Sequence, residues 1–494
     1  MVGAAMTRSI PGAAQFSSMR VAVLGLGISG RASLDALARH TQAVLSAWDA
    51  NPSAREPYAH LDGGSEADPA ALLEALLSWG PDLVIIAPGF RQVGPEWQAL
   101  RAAGVPVWSE IELAWHLRAA HDGVFAPWLC ITGTNGKTTT VTMTEAILRA
   151  GGRRALAVGN VGTPAVTAVS ETSEDAPEVF AFELSSFQLA ATYSMEPAAA
   201  VCLNIADDHL EWHGTFADYR DAKARIYTNT HAACLYPVGD ETVQAMVDGA
   251  DVVEGARAIG LSMGVPSVGQ LGFVDEHAVD RAFIPRRHTH AEVLFDVADI
   301  AHLAPEGTAL PVHIAKDALA AAALARAVGV EPEAVRQGLR EFTGGHHRIE
   351  TVAHVGGVRY VDDSKATNAH AAEASLRALE NAVWIVGGLA KGARFEALVA
   401  KVAANLRAVV VIGRDQEPWR SALAGLEVPV HYVAEDADAP MDDAVGAATD
   451  LAQPGDTVIL APACASQDQF ASYAERGEKF AAAAARLGGD DDEH

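Results

Sequence analysis

Thr132-Gly-Thr-Asn-Gly-Lys-Thr-Thr139 follows the apolar run Leu129-Cys-Ile-Thr132 and leads into a helical stretch. A strand, a glycine-rich turn and a helix in that order make a phosphate loop. The glycines let backbone N–H groups close around phosphate oxygens, and the helix N-terminus adds the positive end of its dipole. Lys137 can neutralise β/γ-phosphates, and the Thr138 hydroxyl suits a magnesium ion. The general pattern would have a glycine where Ile131 stands; the first glycine here is Gly133, so the loop is a particular subtype.

Working outward, short apolar runs alternate with Ala-rich helical stretches from Arg20 to Leu487, the pattern of α/β domains with mainly parallel sheets. Buried strands are expected at Val21-Ala-Val-Leu24, Leu83-Val-Ile-Ile86, Val179-Phe-Ala-Phe182, Ala200-Val-Cys-Leu203, Val383-Trp-Ile-Val386, Val409-Val-Val-Ile412 and Thr457-Val-Ile-Leu460. Residues 316–328 and 333–341 read as helices. Strands beside a phosphate loop end at the same crevice. Three polar groups follow such strands: Glu183 in Glu183-Leu-Ser-Ser-Phe-Gln188, then Asp208-His209, then Lys223 in Tyr219-Arg-Asp-Ala-Lys223. A carboxylate opposite the loop suits magnesium, which takes hard oxygens together with nucleotide phosphates. An ammonium there would repel the metal, so either Lys223 points away or its charge is changed.

A second glycine loop, Gly25-Leu-Gly27-Ile-Ser-Gly30, follows the first strand and opens a helix, and Asp49 ends the next strand. That is the dinucleotide fingerprint, whose geometry holds NAD or any other diphosphate. Domain boundaries are expected near Glu110 and near Gly344-Gly345. Residues 260–306, rich in Gly, Pro and His, show no clear period.

The chain of 494 residues is half hydrophobic and 20% charged, which supplies several cores and excludes bulk disorder. Asp and Glu number 63 against 36 Lys and Arg, a net charge of -27 that argues against nucleic acid or an anionic membrane as partner. The four cysteines lie far apart, so a zinc site or disulfide framework is not expected and a reducing cytoplasm fits. No uncharged apolar run reaches the roughly 20 residues of a membrane span. Residues 1–19 read as a flexible leader without a secretory apolar region, and 489–494 as an acidic, solvated tail.

Gly133-Thr-Asn-Gly-Lys-Thr-Thr139, Glu183-Leu-Ser-Ser-Phe-Gln188, residues 204–209 and Tyr219-Arg-Asp-Ala-Lys223 together resemble the Mur ligase family. Asp363-Ser-Lys-Ala-Thr-Asn368 and Ala461-Pro-Ala-Cys-Ala-Ser-Gln-Asp-Gln-Phe470 are similar to its D-glutamate-adding branch. The likeness extends over about residues 20 to 487.

The resemblance implies an α/β protein of three domains: a Rossmann-like UDP-substrate domain over 20–110, a P-loop ATPase domain over 111–343, and a Rossmann-like domain over 344–488 binding ATP and D-glutamate. It implies ATP-dependent amide formation between UDP-N-acetylmuramoyl-L-alanine and D-glutamate through an acyl phosphate, in peptidoglycan precursor synthesis, by a cytoplasmic monomer. Gly133, Thr134, Asn135, Gly136, Lys137, Thr138, Thr139, Arg348 and Asp363 would then hold ATP. Gly27, Ile28, Ser29, Gly89, Asn160 and His209 would hold the UDP substrate. Thr367, Lys391, Ser466 and Tyr473 would hold D-glutamate, a basic group with hydroxyls suiting a second carboxylate. Lys137, His209, Lys223 and Lys365 would serve catalysis, Lys365 near the transferred phosphate. Thr138, Glu183, His209 and a carbamylated Lys223 would serve magnesium, with two ions expected. Where the family often carries Asn-x-x-Asn at the adenine side, this chain has Ile314 and Asp317. Where it offers Thr-Arg to uracil, Ala50-Asn51 stand.

Overall fold

The computed structural model describes residues 8–66, 68–304, 309–344, 349–377, 379–390 and 392–488. Arg348, Lys391 and the acidic tail lie outside the described residues. Two compact units are present, one within residues 1–299 and 316–342, the other within 300–315 and 343–494.

The first unit contains two main sheets. Arg20–Leu24 is the centre of a five-stranded parallel sheet, with Val44–Trp48 and Asp62–Gly64 on one side and Leu83–Ile86 and Val107–Trp108 on the other. The chain order reverses between Arg20–Leu24 and Leu83–Ile86, so the crevice at their carboxyl ends is the place for a ligand. The strands are buried on both faces, as near-continuous apolar runs should be. Helices Ile28–His40, Pro69–Trp79 and Pro95–Ala102 make the crossovers.

The larger sheet has nine strands, and Trp128–Thr132, the strand before the phosphate loop, lies inside it between Val179–Glu183 and Ala199–Cys202. It is parallel as far as Gln270–Val274 and ends in two antiparallel strands, His277–Asp280 and Glu292–Asp296. Within the stretch without a clear period, residues 270–296 thus extend the sheet. Their strands are short and turn sharply at Asp275, whose φ is +52°, which hides any alternation from the sequence. The two helices expected downstream form as Val312–Ala327 and Pro332–Glu341.

The two sheets are joined tightly. Ser109 donates its N–H to the Ala191 carbonyl at 2.8 Å, and its hydroxyl meets that of Thr192 at 2.8 Å. The buried Glu112 carboxylate accepts the Tyr193 and Ser194 N–H groups. Two residues earlier, the Glu110 carboxylate accepts the Val166 N–H at 2.7 Å. Burial pushes Glu110 up to about 7 against the pull of its backbone donors.

The leader expected to be flexible over 1–19 is folded from Arg8 onward. Arg8–Ser9 pairs with Ala120–His121, a 3-10 helix spans Pro11–Phe16, and Phe16 is fully buried in the core edge-on to Trp108. A side chain at Gly12 would collide with the His116 carbonyl, so this turn lies against the rest of the unit. One aromatic in a small-residue context carries too weak a pattern for a sequence reading to find the docking.

The second unit has a six-stranded sheet in the order Glu350–Val355, Val358–Asp362, Thr457–Leu460, Ala382–Gly387, Leu406–Ile412 and Val430–Tyr432. Only the first pair is antiparallel. Among the described residues no helix is long and apolar enough to cross a membrane.

Phe16→Ala should destabilise the first unit by about 3–5 kcal/mol, the cost of emptying a large core aromatic site. Urea unfolding followed by tryptophan fluorescence measures it; a loss below about 1 kcal/mol would mean the N-terminal segment contributes little.

Candidate active site

Strand register builds the site. Gly159, Glu183 and Ile131 stand side by side across three strands, and Cys202 lies beside Thr132. The segments that follow them therefore leave the sheet at one edge, carrying Asn160, Ser185, Gly133 and Asn204. The phosphate loop turns through Gly133 at φ +155° and Gly136 at φ +84°, and helix Lys137–Ala150 starts directly after. At Gly136 a Cβ would stand 2.4 Å from an Asp317 carboxylate oxygen, so the loop also needs the missing side chain. Asp317 thus packs on the loop.

Lys137 folds back and donates to the Gly133 and Thr134 carbonyls, each at 2.9 Å. The Thr138 hydroxyl donates to one Glu183 oxygen at 2.6 Å, and the Asn160 amide donates to the other at 3.0 Å. A carboxylate and a hydroxyl at the loop's end form a hard-oxygen pair suited to magnesium. Among the described residues no group of three or more His, Cys, Asp or Glu could hold a metal. An ion here would therefore complete its shell with nucleotide and water oxygens.

Lys223 is buried in helix Phe216–Ala224 and points at the loop, donating to the Thr132 hydroxyl at 3.2 Å and the Gly133 carbonyl at 2.8 Å. Its side chain therefore does not point away from the loop. Burial first, and then the nearby Lys137 charge, pull its ammonium down to about 7. His209 adopts φ +54°, places its ring on Phe187 at 4.7 Å, and lies 3.6 Å from the Asp208 carboxylate.

Three supporting residues are absent from the sequence-based set. The Asn204 amide oxygen accepts the Thr134 and Asn135 N–H groups at 3.1 and 2.9 Å, and its nitrogen donates to the Asn135 carbonyl at 3.1 Å. The Tyr219 hydroxyl meets that of Thr134 at 3.0 Å. Buried His213 bonds Ser186 at 2.9 Å and Gln92 at 3.2 Å, tying both sheets together, and burial holds it neutral by lowering it to about 4. Asn204 and Tyr219 belong to the quoted motifs; a polar residue just past a buried strand is the available signal.

In the smaller sheet, Gly25 takes φ +91°, and a Cβ there would strike Ala87 and Phe90. The glycine loop that leads through Gly27 into the helix start at Ile28 and Ser29 thus meets the loop carrying Gly89 at the switch point. Gly27 and Gly89 have open space around them, and the Ile28 side chain is exposed. Asp49 uses both oxygens on backbone, taking the Leu26 N–H at 2.6 Å and the Asn51 N–H at 2.8 Å. Its carboxylate secures the glycine loop, a duty that competes with gripping a ribose as in NAD sites. Asn51 caps the short helix Pro52–Arg55.

In the second unit, Asp363 accepts the Ser375 hydroxyl at 2.5 Å. The Lys365 ammonium lies 3.8 Å over the Tyr473 ring, whose own carbonyl accepts from Ser364 at 2.7 Å. Thr367 follows on the same loop as Lys365. Ser466 is buried, and its hydroxyl has no hydrogen-bond partner among the described residues.

Two families of sequence match: the Mur ligase middle domain over residues 131–324 and the Mur ligase glutamate ligase domain over 347–464. The UDP-N-acetylmuramoylalanine--D-glutamate ligase of Streptomyces coelicolor is 47% identical, covering 96% of this chain and 99% of that protein. The protein of that name from Streptomyces avermitilis is 50% identical over 84% of this chain and 86% of its own. Among solved structures, the MurF ligase of Thermotoga maritima in complex with ADP covers 97% of this chain and 96% of its own, with TM-score 0.55 and 14% identity, a likeness of fold.

Asn204→Asp tests the loop's support. It removes the donor to Asn135 and sets a negative charge beside the phosphates. The KM for ATP should rise about tenfold or more. An unchanged KM in an ATP titration would mean that the loop keeps its shape without that amide.

Proposed function

Because this chain belongs to the Mur ligase family, we propose that it couples ATP hydrolysis to joining D-glutamate to UDP-N-acetylmuramoyl-L-alanine, a step in peptidoglycan precursor synthesis. The structural observation that carries the reading is the Glu183 carboxylate, held between Thr138 and Asn160 at the end of the phosphate loop. The cytoplasm, where such precursors and ATP are found together, is the compartment that fits.

A carboxylate is a poor acyl donor until its oxygen has taken a phosphoryl group. The alanyl carboxylate attacks the γ-phosphorus and ADP leaves. The D-glutamate amine then attacks the acyl carbonyl, and phosphate departs from the tetrahedral intermediate. Positioning and charge neutralisation do most of this work. Lys137 leaves its two carbonyls for the β/γ-phosphates, and the N–H groups held by Asn204 line the loop. Magnesium, when bound, would supply further neutralisation, and Thr138, Glu183 and His209 are the residues that would hold it. Gly27, Ile28, Ser29 and Gly89 receive the UDP, and Asn160 and His209 the muramoyl part. Arg348 and Asp363 serve the nucleotide, Lys365 the transferred phosphate, and Thr367, Lys391, Ser466 and Tyr473 D-glutamate.

Lys223 completes the reading as a carbamate. A neutral amine adds to CO₂ and releases one proton, turning a cation into a hard oxygen ligand. What supports this is its complete burial, its aim at the loop, and a pKa near 7 that leaves much of the amine neutral at neutral pH.

Phosphate release with UDP-N-acetylmuramoyl-L-alanine and a panel of L- and D-amino acids tests the assignment: D-glutamate should be accepted and L-glutamate rejected. Lys137→Ala should lose turnover by roughly two to three orders of magnitude while staying folded. Near wild-type phosphate release in that variant would sink the ATPase assignment.

Lys223→Ala should be nearly inactive, and a short carboxylic acid added to the assay should restore part of the rate by entering the vacated space. A fully active variant would end the carbamate hypothesis.

A further inference from the structure

Arg476 is completely buried in helix Tyr473–Gly488 of the second unit. Among the described residues no carboxylate is paired with it; its guanidinium bonds only neutral oxygens. Nε donates to the Ser364 hydroxyl at 2.9 Å, Nη2 to the Ser364 carbonyl at 2.7 Å, and Nη1 to the Cys464 carbonyl at 3.1 Å. The Asp468 and Asp362 carboxylates act on the guanidinium only from beyond ion-pair distance, so burying it is costly, and a packed apolar side chain would often serve stability as well or better. What an apolar side chain could not do is fork. The planar guanidinium spans two loops, which leave the adjacent parallel strands Val358–Asp362 and Thr457–Leu460.

The same knot takes in a third loop. Leu389 and Ala465 exchange backbone hydrogen bonds at 2.8 and 3.2 Å, and a Cβ at Gly388 would stand 2.4 Å from the Ala465 carbonyl. The Ser364 hydroxyl, while accepting from Arg476, donates to the Tyr473 carbonyl at 2.7 Å. Arg476 and the Ser364 hydroxyl together therefore tie the helix start to both strand-end loops.

We propose that Arg476 is a positioning residue for the amino-acid substrate: it sets the register between the loop carrying Thr367 and the loop carrying Ser466. This rests on the D-glutamate reading above. Thr367 and Ser466 stand on different loops, so one ligand meets both only when the loops hold their spacing. Asp363 and Lys365, on the nucleotide side, flank the clamped Ser364 on a single loop, so their spacing to each other does not depend on the second loop. Slackening should therefore fall on the amino acid more than on the nucleotide.

The test is Arg476→Lys, which keeps the charge and loses the fork, together with Ser364→Ala, a smaller change that removes only the shared hydroxyl. Steady-state kinetics with each substrate varied in turn, and a thermal melt, are run on both full-length variants and the wild type. The KM for D-glutamate should rise about tenfold or more, since misplacement of about an ångström has effects of that order. The KM values for ATP and the UDP substrate should stay within about threefold. If Arg476→Lys does not fold, Ser364→Ala carries the test and should show the same selectivity with a smaller rise. An unchanged D-glutamate KM in a folded variant, or equal rises in all three KM values, would overturn the positioning role. Wild-type enzyme showing no D-glutamate-dependent phosphate release would instead refute the reading on which it rests.

Discussion

The Gly133 carbonyl oxygen accepts a hydrogen bond from two lysine ammonium groups, Lys137 at 2.9 Å and Lys223 at 2.8 Å. Two like charges converging on one acceptor repel each other, and burial of Lys223 deprives that repulsion of screening. The arrangement is comfortable only if one charge is surrendered or an anion arrives. Lys223 moves toward the neutral form. The residues around it can be understood as what keeps that carbonyl in place: Asn204 grips the next two N–H groups, Tyr219 meets the Thr134 hydroxyl, and Asp317 closes on Gly136.

The same constraint explains why the sheet is so apolar up to its carboxyl edge and polar immediately beyond. Trp128 stacks on Phe182 with ring centres 3.9 Å apart, and Trp115 meets Trp128 edge-on. That packing fixes the heights of two neighbouring strands, and hence where Glu183 and the loop emerge. A shift of one strand by one residue would turn Glu183 to the other face and break its bonds to Thr138 and Asn160.

The phosphate loop is legible in the sequence because a strand, two obligatory glycines and a Lys-Thr pair occur within a few residues. Glu183 is legible for a similar reason, a lone carboxylate at the end of an apolar run. The duties of Asn204, His213 and Arg476 are not, since each depends on a partner distant in the chain. His213 reaches Gln92 in the turn before helix Pro95–Ala102, and Arg476 reaches Ser364 from the far end of its domain. Phe16 escapes a sequence reading because one buried ring has no period. The strands in residues 260–306 escape because they are too short to show one.

The seam between the first two sheets has a thermodynamic meaning. Glu112 caps the Tyr193 and Ser194 amides, Ser109 pairs with Thr192, and Trp212 donates to the Pro88 carbonyl at 3.0 Å while packing edge-on against Trp97. If either sheet melted alone, these buried carboxylate and amide groups would lose their partners inside the surviving one, at a cost of about 1–3 kcal/mol for each. Several such penalties exceed much of a typical domain's margin of stability. Two sheets that look like separate domains by topology are therefore expected to unfold as one cooperative unit, in a single endotherm.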